Sequence, residues 1–113
     1  MTSAEAVVQR QLEAYNARDL PRFLAVYSDE VQVFRPPTLE PVLVGKAAFA
    51  EFYATQRFNH TGLHAELINR IVLGNKVIDH ERISGVYPKP LEMAVVFEVV
   101  DGLIHMVWSY PAE

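Results

Sequence analysis

After residue 62 the chain alternates apolar runs with turn residues so regularly that sheet is the structure it can most readily form. Three stretches rich in Val, Ile and Leu, 63–73, 76–86 and 91–100, are followed by a fourth at 103–110. Gly74-Asn75 separates the first two at hairpin spacing, "YPKP" separates the second from the third, and Asp101-Gly102 is a strong two-residue hairpin turn before the last. Strands joined so closely pair antiparallel with their chain neighbours. The expectation is a four-strand meander with one face in need of cover.

The first half supplies the cover. Thr2-x-x-Glu5 reads as a capping box, and Val8, Leu12 and Tyr15 then recur at i, i+4, i+7 to define one apolar helix face. Asp19 is placed to cap a second helix, with Pro21 tolerated in its first turn and Leu20, Phe23, Leu24 and Tyr27 along its apolar stripe. "VQVF" (31–34) predicts a short strand, whereas "RPPTLEP" (35–41) holds three prolines and cannot be helix or central strand. Gly45 precedes a third helix, "KAAFAEFYATQR", with Phe49, Phe52 and Tyr53 on one side. The order α, α, β, α and then four strands predicts one α+β domain over 1–113, an antiparallel sheet with helices gathered on one face.

Composition removes several function classes. Ten Lys and Arg against fourteen Asp and Glu give a net charge of −4, which argues against a phosphate-tracking surface and hence against a nucleic-acid partner. Without cysteine there is no disulfide framework, zinc ribbon or thiol nucleophile. The N-terminal "MTSAEAVVQRQLEAY" lacks the pattern of a secretion signal, and no stretch reaches bilayer-spanning length, so the expectation is a cytoplasmic protein with no membrane partner. His60 and His64 stand four apart across a loop and a strand start, where that spacing has no ligand logic, so neither metal nor cofactor is expected. No G-x-S-x-G elbow exists for a serine nucleophile, and "NHT" (59–61) reads as a polar loop.

The stretch "VIDHERISG" (77–85) concentrates charge in a strand. Ile78, His80, Arg82 and Ser84 share one face and Asp79, Glu81 and Ile83 the other, so His80 and Glu81 point apart and form no dyad. The next strand presents Met93, Val95, Phe97 and Val99 on one face, with Glu92, Ala94, Val96 and Glu98 opposite. Parity alone leaves open which face meets the helices.

"VVQRQLEAYNARDLPRFLAVYSDEVQVFRPP", "GKAAFAEFYA", "VIDHERISG" and "DGLIHMVWSYP" together resemble the nuclear transport factor 2-like superfamily, from about residue 5 to the end. Within it the chain is most similar to the SnoaL-like, ketosteroid isomerase-like branch, which also holds polyketide cyclases and limonene epoxide hydrolases. The resemblance implies a cystatin-like cone: a curved antiparallel sheet with three N-terminal helices enclosing a pocket, commonly in a homodimer. It does not imply one reaction.

Carried over by position, the ketosteroid isomerase roles are missing. The oxyanion-hole tyrosine falls on Gln11, the general-base aspartate on Arg35, and the protonated acid near Val95. An arginine is never deprotonated and cannot act as base. Against limonene epoxide hydrolase, "HERIS" matches the strand carrying its arginine at Arg82, but the two flanking aspartates fall on Ser84 and near Ser109. The cyclase aspartate should lie among the same inward positions, none of which is acidic on this alignment.

The resemblance therefore places His80, Arg82 and Ser84 with Met93, Val95 and Phe97 on the pocket side. Tyr15, Phe34, Arg35, Phe52, Tyr53 and Ser109 complete the expected ligand-binding set. Arg82 would donate hydrogen bonds to a ligand oxygen, with His80 as its proton-carrying partner. The alternative has Arg82 paired to a protein acid as a structural residue. Two function classes follow. One is a binding domain for a small, mostly apolar molecule bearing a carbonyl or carboxylate. The other is an isomerase, cyclase or hydrolase of a steroid-, polyketide- or terpenoid-like substrate, with His80 as base and Arg82 as oxyanion donor. The lack of an inward carboxylate favours the first. Val96, Val100 and, depending on the register of the last strand, Met106 and Trp108 make one face of the meander too apolar for three short helices to cover, and predict a homodimer packed through the sheet's outer face.

Overall fold

The computed structural model describes residues 3–112. Three helices, α1 (Ala4–Asn16), α2 (Leu20–Ala25) and α3 (Lys46–Gln56), pack on a curved six-stranded sheet. The strands are β1 (Tyr27–Phe34), β2 (Leu43–Val44), β3 (His64–Leu73), β4 (Lys76–Ser84), β5 (Leu91–Val100) and β6 (Leu103–Pro111), in the order β2-β1-β6-β5-β4-β3. The C-terminal meander forms as its turns predict, with Asp101 and Gly102 both at positive φ between β5 and β6. Two details differ from expectation. β1 starts at Tyr27, within the stretch read as helix stripe, and pairs parallel to β6; the two-residue β2 then pairs antiparallel beyond the proline-rich loop. Among the described residues no helix is long and apolar enough to cross a membrane.

The helix starts follow capping chemistry. Ser3 Oγ accepts the Ala6 amide at 3.1 Å, and the expected partner Thr2 lies outside the described residues. Asp19 Oδ1 accepts the Arg22 amide at 3.2 Å with Pro21 in the first turn, as its position predicts. The core joins the buried faces of all three helices to the sheet. Phe23 and Phe49 stack with centroids 5.7 Å apart, and Tyr27 lies 4.3 Å from Phe49. All three rings are almost wholly buried, beside Val7, Val8, Val31, Val33 and Ile104. Each such side chain removes enough apolar surface to contribute about 2–3 kcal/mol.

Three local devices set the geometry of the cavity. The Asn16 amide at the end of α1 brackets Ala65 of β3, accepting its N–H at 2.7 Å and donating to its C=O at 3.0 Å, which holds the helix over the sheet. A bulge in β3 falls at Ile68: Leu67 pairs with Glu81, but the next pair is Asn69 with His80. Beyond the bulge Arg70, opposite Asp79, points toward α1. It grips Asp79 through Nε at 2.7 Å and Nη2 at 3.0 Å, and its Nη1 donates to Gln9 on α1 at 2.9 Å. The third device is Gly85, at φ +87°, whose Cα lies so close to Gly62 that any Cβ would collide with the Gly62 backbone. This contact lays the loop after β4 on the loop before β3.

Candidate functional site

The β4–β5 register decides which residues enter the cavity. Val77 faces Phe97, Asp79 faces Val95, Glu81 faces Met93 and Ile83 faces Leu91. Residues directly opposite in a ladder share a face. The apolar face of β5 is the one under the helices, with Val95, Phe97 and Val99 buried, so Asp79 and Glu81 are buried with it.

This corrects the placement of His80, Arg82 and Ser84. All three lie on the outer face of β4. There His80 Nε2 meets Glu92 Oε1 at 2.8 Å, while Arg82 donates to Glu66 Oε1 at 3.1 Å and to Glu92 Oε2 at 3.4 Å. These hydrogen bonds, His80 first and Arg82 second, hold the Glu92 carboxyl below its ordinary range. Arg82 is thus paired to protein acids, the structural alternative. Phe34 also leaves the expected set, because β1 pairs it with Trp108 and the two rings stack at 5.6 Å on the outer face. Phe52 does not line the cavity either; its ring stands behind two residues that do, Arg35 and Arg57.

The cavity has a volume of about 260 Å³ and is bounded by α1, α2, α3 and the inner faces of β3 to β6. Of the expected ligand-binding residues, Tyr15, Arg35, Tyr53, Met93, Val95, Phe97 and Ser109 line it. Leu12, Ile83 and Val107 add to the apolar wall; Gln11, where the resemblance puts the isomerase tyrosine, is a polar member, and Tyr27, Arg57, Glu81 and Tyr87 are polar members absent from the expected set. Arg35 and Tyr87 are exposed and mark the mouth, whereas Glu81 and Tyr27 are buried and mark the interior.

Glu81 is the chemically distinctive member. It is 6 % exposed, and its carboxyl has no hydrogen-bond partner among the described residues. Burial, then the nearby negative charge of Asp79, pushes this carboxyl from 4.5 up to about 8, against a smaller opposing pull from Arg70. Besides Tyr87 at the mouth, three tyrosines share its cavity. Burial raises the hydroxyls of Tyr15, Tyr27 and Tyr53 above their ordinary range and keeps them neutral donors. The Tyr27 hydroxyl donates to Gln11 Oε1 at 3.4 Å. A carboxyl that titrates near neutrality beside neutral phenols in an apolar chamber can give or take a proton at a ligand oxygen or carbon.

The signal for Glu81 lies in the strand itself. Val77 and Ile83 flank Asp79 and Glu81 on one face, and matching that apolar frame to Met93, Val95 and Phe97 puts both acids inside. Arg57, at the end of α3, and Tyr87, in a loop, have no comparable local signal.

The model of the SnoaL-like domain matches residues 8–106. No curated protein matches the chain. Among solved structures, the Δ5-3-ketosteroid isomerase of a Mycobacterium species superposes with a TM-score of 0.81 at 21 % identity, over 96 % of this chain and 93 % of that one. A candidate ketosteroid isomerase from Kribbella flavida gives 0.83 at 22 %, over 97 % and 78 %. An uncharacterised cystatin-fold protein from Novosphingobium aromaticivorans gives 0.86 at 18 %, over 96 % and 98 %. Identities at this level establish a shared fold, and with the family model spanning most of its length the chain belongs to the SnoaL-like domain family.

Proposed function

We propose that the cavity binds a small, mostly apolar molecule bearing a carbonyl or carboxylate oxygen, and that Glu81 transfers a proton on it, as an isomerase or cyclase would. The observation behind this reading is a buried, unpartnered carboxyl bordering an apolar cavity, with a pKa of about 8. It replaces His80 as the proton carrier and Arg82 as the oxygen-binding group. In the ionised form Glu81 would take a proton from the carbon next to a carbonyl: the C–H bond breaks, an O–H bond forms on Glu81, and the electron pair moves to the carbonyl oxygen. The Tyr15 and Tyr53 hydroxyls, neutral donors in the same cavity, would stabilise that enolate, and Glu81 would return the proton to a different carbon. One pH unit below its pKa roughly a tenth of such groups is ionised, so the base form is present at neutrality.

The cavity volume, about 260 Å³, sits just under the roughly 300–1,000 Å³ of typical drug-sized pockets and suits one or two rings better than a four-ring sterol. The positions that carry ketosteroid isomerase chemistry in that enzyme fall on Gln11, Arg35 and Val95, so the proton transfer proposed for Glu81 would use a different set of residues. Binding without turnover is the second reading. It is favoured by the same carboxyl, which is mostly protonated at neutrality and able to donate to a ligand carbonyl.

Deuterium exchange at the α-carbon of 1-tetralone, a neutral two-ring ketone, tests the first reading. Wild type should exceed the buffer rate, with the rate rising as pH passes through about 8. Glu81→Gln should lower it by roughly 10²–10⁴, the range of a general base. Exchange at the buffer rate, or unchanged by the substitution, would overturn proton transfer, and binding without exchange would favour the second reading.

A further inference from the structure

We infer that the ligand is a carboxylate, its charged end held at the cavity mouth by Arg35 and Arg57 and its apolar body directed inward. The placement of the carbonyl near Glu81 rests on the proposed function; the anion site does not. Both guanidiniums lie over one aromatic ring, Arg35 at 5.1 Å and Arg57 at 5.0 Å from the Phe52 centroid. The two charges are therefore at most about 10 Å apart, within mutual repulsion at ordinary ionic strength.

No ion pair among the described residues offsets that repulsion. Arg22, Arg70 and Arg82 each meet a carboxylate, but neither Arg35 nor Arg57 does among the described residues. This occurs in a chain that carries fourteen acids against ten bases. Arg57 is nevertheless oriented: its Nη1 donates to the Gln56 carbonyl at 2.9 Å and its Nη2 to the Tyr87 hydroxyl at 3.1 Å. Tyr87 in turn reaches Arg57 because the Gly85–Gly62 contact lays its loop there.

The oriented Arg57 guanidinium, with the exposed Arg35 guanidinium over the same ring at the rim of a largely apolar cavity, matches a planar carboxylate, which can take parallel N–H donors from a guanidinium fork. The second polar feature, the unpartnered Glu81 carboxyl, lies in the buried part of the same cavity. A molecule spanning both has an anionic end, an apolar middle and an inner oxygen. A small cyclic or aryl keto acid fits that description.

The test compares 2-naphthoate with 2-naphthalenemethanol, which have the same ring system with and without charge, by fluorescence titration at low salt. Wild type should bind the acid roughly tenfold or more tightly, the scale of one charge-assisted hydrogen bond. Raising the salt should shrink that preference. The double variant Arg35→Gln, Arg57→Gln should lose it while keeping its affinity for the alcohol, which also shows that the variant is folded. Glu81→Gln should retain it. Equal affinity for the two probes in wild type, an acid preference that survives the double variant, or no binding of either probe at millimolar concentration would overturn the inference. Exchange on neutral 1-tetralone is read separately, so the anion site and the Glu81 chemistry can fail independently.

Discussion

Replacing Glu81 by Gln should make the protein more stable, and by an amount that grows with pH. In the unfolded chain this carboxyl ionises near 4.5, and in the folded cavity near 8. Between those values the folded state keeps a proton that the unfolded chain has lost. The stability linked to Glu81 is therefore fully present below pH 4.5, is lost as pH rises, and stops changing above about 8. At 1.36 kcal/mol per unit, the loss is about 3 kcal/mol by pH 7 and about 4–5 kcal/mol above pH 8. Glutamine has the shape of the protonated acid and no charge to desolvate. Its amide pays any hydrogen-bonding cost equally at every pH, so the pH dependence of the difference isolates the charge. Urea unfolding of both proteins at fixed concentration, followed by the fluorescence of the only tryptophan, Trp108, measures that difference at pH 5, 7 and 9. The curves should lie within about 1 kcal/mol of each other at pH 5 and diverge with Glu81→Gln the more stable. A difference that is constant with pH, or that changes in the opposite direction, would refute a desolvated Glu81.

Arg70→Leu should destabilise by about 3–5 kcal/mol, because it leaves the fully buried Asp79 without its bidentate partner; chemical denaturation reads this directly. Gly85→Ala should cost more than an ordinary loop substitution, about 3 kcal/mol or more, since φ +87° and the Gly62 backbone both oppose a Cβ; the thermal midpoint should fall, and an unchanged midpoint would refute the close packing. The outer sheet face carries Phe34 stacked on Trp108, with Val96 opposite Trp108 and Val100 exposed, and we propose that a second copy of the chain covers it. Light scattering at tens of micromolar should then give a dimer that Trp108→Glu converts to monomer, and a wild-type monomer would end the proposal.

The elements were legible where turn chemistry is local. Gly74, Asp101-Gly102 and Asp19 each act through their own backbone or side chain, so the meander and the start of α2 follow from the residues themselves. The parallel β1–β6 pairing was not, because it joins segments more than seventy residues apart and no turn links them. The site failed on one point of parity. Met93, Val95 and Phe97 were assigned to the correct face of β5, but β4 has charge on both faces, Asp79 and Glu81 between Val77 and Ile83 on one, and His80 and Arg82 between Ile78 and Ser84 on the other. The register across the loop from Gly85 to Pro90 decides which set is buried, and that loop carries no two-residue turn to specify it. Tyr15, Tyr53, Arg35 and Ser109 reached the cavity independently of that choice.

The single extra residue at Ile68 reaches further than the edge strand that holds it. With no bulge, the alternation that puts Leu67 opposite Glu81 would put Asn69 opposite Asp79, and Arg70 would project to the outer surface. The inner wall would then hold two neighbouring acids and no guanidinium, and each would suppress ionisation of the other. The bulge thus works as a half-turn of a key: one backbone unit, remote from the cavity mouth, imports a positive charge for Asp79 and leaves Glu81 as the carboxyl in the chamber that goes unmatched. Changes in proton affinity within this architecture need no substitution of an acid. Gain or loss of one residue in a peripheral strand, of any side-chain type, suffices to exchange which neighbours an inner carboxyl has.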